Sequence, residues 1–214
     1  MDNSSLERAD LPYSRGVRWD RFFDDLEDQL ASEWEAERHA LDSEAERLRL
    51  SRVALAERLT LLATDAAGAY GFDLVDGTTL RAAVTGVGAG WAALRPAEGG
   101  GAVIVPFASI LAIGTPHADL LRSARPGPTR SPLADRLTFG FVLRDLVRRR
   151  AGVAVQLTSG RVLTGTIDRA GADHLDLALH EPGAPRRADE VSGYRLIPFA
   201  AVAWIRADTA PALP

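Results

Sequence analysis

The chain has no cysteine and no lysine, and only one methionine among its 214 residues. The absence of cysteine excludes disulfides, thiol catalysis and thiolate metal sites together. All 25 basic residues are arginine, which with abundant alanine points to a GC-rich coding sequence. Long apolar runs are missing too. Stretches such as 102–113 are too short to cross a bilayer. The opening Met1-Asp2-Asn3-Ser4-Ser5 is polar and lacks the apolar stretch of a signal peptide. A cytoplasmic protein that does not engage a membrane is expected. Reaction motifs are equally scarce. His39, His117 and His180 are scattered, with no HExxH-type spacing. No serine or threonine lies in a nucleophile elbow. The sequence therefore predicts no enzyme, no cofactor, no metal and no small-molecule substrate.

What is present is an ordinary globular composition, 46% hydrophobic and 25% charged. The net charge of −4 is unevenly spread. Residues 1–62 carry 9 Arg against 15 Asp and Glu, whereas 132–214 carry 11 Arg against 9. A pI near 5.6 argues against non-specific nucleic-acid binding, which needs a basic footprint.

From Val17 to Leu62 neither proline nor glycine interrupts the chain. Trp19, Phe23, Leu26 and Leu30, and then Leu41, Ala45, Leu48, Arg52, Leu55, Leu59 and Leu62, alternate spacings of four and three, with a stutter between Leu30 and Trp34. This predicts one long helix or two collinear ones with a coiled-coil-like seam. Two outcomes are open: a solvated helix with its ends packed on the body, or self-association through the seam. Trp19, Phe22, Phe23, Leu26 and Leu30 form a candidate docking or oligomer face.

The remainder reads as a duplication. Phe72-Asp73-Leu74-Val75-Asp76-Gly77 aligns with Val155-Gln156-Leu157-Thr158-Ser159-Gly160 at an offset of 83. Ile104-Val105-Pro106-Phe107-Ala108 aligns with Leu196-Ile197-Pro198-Phe199-Ala200 at an offset of 92, the difference being a longer loop around 181–193. Each copy shows period-two alternation, as in Val153, Val155 and Leu157, broken by glycine turns. Pro198 cannot donate to a central ladder and marks a corner. A helix is predicted from Leu133 to Arg150, opened by Ser131-Pro132. Gly86-x-Gly88-x-Gly90 falls between strands and is expected to be a hairpin turn, not a phosphate loop.

Val155-x-Leu157-x-x-Gly160-x-x-x-x-Gly165-x-Ile167 and Ile205-Arg206-Ala207-Asp208 resemble the two motifs of the Sm-like family, the Sm proteins and the bacterial Sm-like RNA chaperone; SH3-like barrels share much of the pattern. The resemblance covers about 48–115 and 132–208. It implies an α+β fold: an N-terminal long helix followed by two duplicated five-stranded Sm-like β-barrels, each preceded by a helix. The implied boundaries are an acidic arm over 1–47, barrels over 48–115 and 132–208, a proline-rich linker over 116–131 and a tail over 209–214. The family's uridine-binding positions are not matched. Its acidic residue falls on Gly88 and Gly171, and its asparagine on Ala92 and Leu175, or on Ala93 and Asp176 if one residue is inserted.

Arg144, Arg148, Arg149, Arg150, Arg186, Arg187, Arg195 and Arg206 are the candidate surface for an anionic partner, either RNA or the acidic helix; a solvated charged face is the alternative. Asp173-His174-x-Asp176 has no duplicate and is expected to be surface. Family members pair edge to edge, so the expected role is a non-enzymatic assembly or adaptor module. Its expected partners are itself, as a homo-oligomer, or another protein. RNA binding through the arginine surface is the second expectation, and an unrecognised enzyme with a pocket between the barrels a third.

Overall fold

In a computed structural model that describes residues 16–64, 68–125, 132–183, 187 and 189–207 (16–25 for the backbone alone), the stretch free of proline and glycine forms two helices. They are α1 (Gly16–Ser51) and α2 (Leu55–Ala63). No helix breaker stands between them. Ser51 Oγ donates to Leu48 O at 2.9 Å, and Ala54 opens α2 from extended backbone. Packing sets the start of α2, because its Leu59 and Leu62 are buried in a core cluster with strand residues. Residues 1–51 and 52–214 are two separate units, and all that follows in this subsection lies in the second.

Its strands are β1 (Tyr70–Leu74), β2 (Thr79–Val87), β3 (Trp91–Pro96), β4 (Ala102–Pro106) and β5 (Ile110–Gly114), then β6 (Gly152–Leu157), β7 (Val162–Ala170), β8 (His174–Leu179), β9 (Gly193–Pro198) and β10 (Val202–Ala207). Between the two sets come α3 (His117–Ala124), α4 (Pro132–Arg136) and α5 (Phe139–Arg149).

The expectation of two five-stranded barrels is corrected here. The ten strands form a single open antiparallel sheet in the order β5-β1-β2-β3-β4-β10-β6-β7-β8-β9. The physical reason is the β4–β10 ladder. Ile104 pairs with Ile205, Val103 with Arg206 and Ala102 with Ala207. Each of these strands meets its hydrogen-bonding need on the other, so the two halves fuse into one sheet instead of closing separately.

The duplication reaches the level of register. Phe72 pairs with Leu80 in the first half, and Val155 with Leu163 in the second. A bulge between Val84 and Gly86 returns between Ile167 and Arg169, and one at Asp73/Leu74 against β5 returns at Gln156/Leu157 against β10. Gly77 and Gly160 turn the same hairpin at φ +84° and +85°, a conformation that favours glycine. Phe107 and Phe199 each open a 3-10 turn after proline, their N–H groups bonded to Gly90 O and Asp173 O.

The helix predicted over 133–150 is split into α4 and α5 because the Leu137 carbonyl is used elsewhere. It accepts from Trp91 Nε1 at 2.6 Å and from Ala89 N at 2.9 Å. Thr138 then caps α5, accepting from Phe141 N. Segment 116–131 contains α3, whose Leu120 O and Ser123 Oγ accept from Arg58 of α2.

Candidate interaction edges

The β4–β10 junction shows what this sheet does with its edges. Trp91, Ala93 and Ile104 of the first half join the core cluster of the second, alongside Phe139, Leu143 and Ile205. Trp91 is fully buried. Gly88 makes room for it, since a Cβ there would lie 2.2 Å from Trp91 Nε1 and 2.5 Å from Leu137 O. Two further bonds cross between the halves, Ser109 Oγ to Val202 O at 2.8 Å and Trp204 Nε1 to Asp76 Oδ2 at 3.3 Å.

The outer strands are the same two strand types left over. β5 is the first-half counterpart of β10, and β9 the second-half counterpart of β4. Each pairs on one side only among the described residues. Their side chains differ from the counterparts in one respect. Ile104 and Ala203 are 0% exposed at the junction, whereas the equivalent Leu196 and Leu111 are each 68% exposed. Tyr194, equivalent to Ala102, is 60% exposed. Beside β5 runs an apolar groove of ≈ 230 Å³, lined by Leu55, Leu59 and Leu62 of α2, Ile110 and Ile113 of β5, and Leu120 of α3. The equivalent flank of the second half is where Trp91 and Ile104 are buried.

The arginine set is not gathered on one surface. Arg148 and Arg149, in the last turn of α5, both pair with the buried Asp145, Arg149 Nε at 2.9 Å from Oδ2. Arg144 is exposed on the same helix, and Arg150 is its left-handed C-cap. Arg187 lies exposed in the β8–β9 loop, and Arg186 lies outside the described residues. Arg195 stands on β9, donating to Tyr194 O at 2.8 Å. Arg206 stands on β10, separated from β9 by three strands in sheet order, with its guanidinium 5.3 Å from the Trp204 ring centre. Of the predicted docking face, Leu26 and Leu30 are exposed on α1; the side chains of Trp19, Phe22 and Phe23 lie outside the described residues.

A smaller cavity of ≈ 150 Å³ is lined by Ala154, Thr164, His180, Gly183 and Arg206. Both ring nitrogens of His180 are engaged, Nδ1 3.0 Å from Glu181 O and Nε2 2.9 Å from Thr166 Oγ1. Asp173 Oδ1 lies 2.8 Å from His174 Nδ1 on an exposed turn. Among the described residues no group of three or more His, Cys, Asp or Glu side chains is placed to hold a metal ion. Among the described residues, too, no helix is long and apolar enough to cross a membrane.

No protein-family model, curated protein or solved structure matches the chain.

Sequence reasoning missed Leu111, Tyr194, Leu196 and the α2–β5 groove. The signal was present in the duplication, since an aliphatic pair such as Leu196-Ile197 repeats the buried Ile104-Val105.

Proposed function

We propose that the protein is a non-enzymatic assembly module that joins copies of itself head to tail through its outer strands, β9 of one chain pairing on β5 of the next. One observation carries this: the pairing is already built once inside the chain, between strands of the same two types. Copying the β4–β10 register outward sets Leu196 opposite Ile113 and Tyr194 opposite Thr115. It also seats Leu196 beside the groove formed by α2 and α3. An unpaired edge is a template for another strand, and β9 and β5 expose large apolar side chains where a free edge is ordinarily charged. Such a contact is heterologous, so it closes into a ring or extends as a filament.

The junction between chains is weaker than the internal one. His174 and Asp176 occupy the places of Trp91 and Ala93, so the buried indole is missing from the outward half. Assembly is therefore reversible and concentration-dependent. RNA binding draws less support, because two arginines of the set share one carboxylate, Asp145, and the set is divided between α5, the β8–β9 loop, β9 and β10.

The test is light scattering of the full chain with α1 silenced by Trp34→Glu and Leu41→Glu. Species larger than 22.9 kDa are expected, and Leu196→Asp or Leu111→Asp is expected to reduce them. A monomer at every concentration, before any edge substitution, removes the proposal.

A further inference from the structure

The outer strands leave α1 without a role. Its Leu26, Leu30, Trp34, Leu41 and Leu48 are all exposed, between 44% and 67%. At about 100° per residue they fall within an arc of roughly 80°. They therefore form one stripe, about 33 Å long at ~1.5 Å per residue, interrupted by Glu37 and Glu44, which fall in the same arc. Charge along it is segregated. Residues 26–37 carry Glu27, Asp28, Glu33, Glu35 and Glu37 and no arginine. Residues 38–49 balance Arg38, Arg47 and Arg49 against Asp42, Glu44 and Glu46.

We infer that α1 pairs through this stripe with α1 of a second copy, running antiparallel. A parallel pair sets the two carboxylate-rich segments side by side, and like charges across a helix contact are unfavourable. The antiparallel pair lays 26–37 of each helix on 38–49 of the other. Arg47 and Arg49, which flank the stripe on either side, then come alongside Glu27, and Arg38 alongside Glu37, while Asp28 lies on the opposite face of the helix. Within one helix Arg47 and Arg49 have only exposed partners at 3.8 Å, Glu44 and Glu46; such pairs are weak and readily exchanged. Reversal also preserves the apolar contact, because the stripe is bounded by leucine at both ends. Trp34 is the large side chain best suited to anchor it. This contact is two-fold and self-limiting, unlike the head-to-tail pairing of strands, and it does not rest on that proposal.

The absence of cysteine supplies a clean background for the test. Full-length Leu26→Cys and Leu48→Cys chains are treated with a short flexible bis-maleimide, each alone and as an equilibrated mixture. In an antiparallel pair like positions lie far apart, so crosslinked dimer is expected only in the mixture. It should be lost when both chains also carry Trp34→Glu and Leu41→Glu. Efficient crosslinking of Leu26→Cys with itself indicates a parallel pair and overturns the inference. So does a mixture that gives no crosslink, or one whose crosslink survives the double substitution.

Discussion

Ile104 and Ile205 face each other across the β4–β10 ladder, both fully buried, while the residues that repeat them, Leu196 and Ile113, stand on the two outer strands of the sheet. The same chemistry is thus satisfied once and left available once in each chain. A sheet built from a duplicated unit produces this result whenever one unit's fourth strand pairs with the other's fifth, because one strand of each type is always left over.

The internal junction depends on Trp91. Its indole N–H bonds to Leu137 O at 2.6 Å in a fully buried setting. Trp91→Phe removes the indole N–H and leaves Leu137 O bonded to Ala89 N alone, and a loss of about 0.5–1.5 kcal/mol is expected. Urea unfolding of the full chain reads this directly. A variant as stable as the parent would show that the bond contributes nothing to holding the halves together.

The outward junction should respond to the missing indole. Gly171 repeats Gly88, the glycine that makes room for Trp91, and His174 repeats Trp91 itself. The space for a tryptophan is thus retained where none is present. Val53, whose position before α2 repeats that of Leu137 before α5, offers the carbonyl. His174→Trp is therefore expected to strengthen assembly, shifting the midpoint of a dilution series to lower concentration. An unchanged midpoint would show that the two junctions are not built alike.

Nucleic-acid binding is expected to be weak. Uridine-rich RNA titrated against the full chain should bind little at physiological salt. Residual binding should fall steeply as salt rises, as contacts between arginine and phosphate do. Tight binding that is indifferent to salt would restore the arginine surface as the functional site.

Much of this architecture was legible because a duplication is read by comparison and needs no propensity scale. Gly77 against Gly160 and Phe107 against Phe199 located the hairpins and corners in both halves. Closure was not legible. Whether a fourth strand pairs within its own unit or with the neighbouring fifth depends on contacts such as Trp91 with Leu137, 46 residues apart, which local periodicity does not encode. The split between α4 and α5 has the same cause. The exposed leucines were hidden for a related reason, since Leu196 reads as a core residue until the absence of a covering strand is known.

The most direct measurement is a complementation experiment on mass, made with α1 silenced by Trp34→Glu and Leu41→Glu. A Leu111→Asp chain retains an intact β9, and a Leu196→Asp chain retains an intact β5. Each alone lacks one partner of the junction and is expected to be monomeric at 22.9 kDa. Mixed in equal amounts they can form one junction and no more, so light scattering is expected to show a dimer that does not grow further. A mixture that stays monomeric, while the chain with both edges intact assembles, would contradict head-to-tail pairing of β9 on β5.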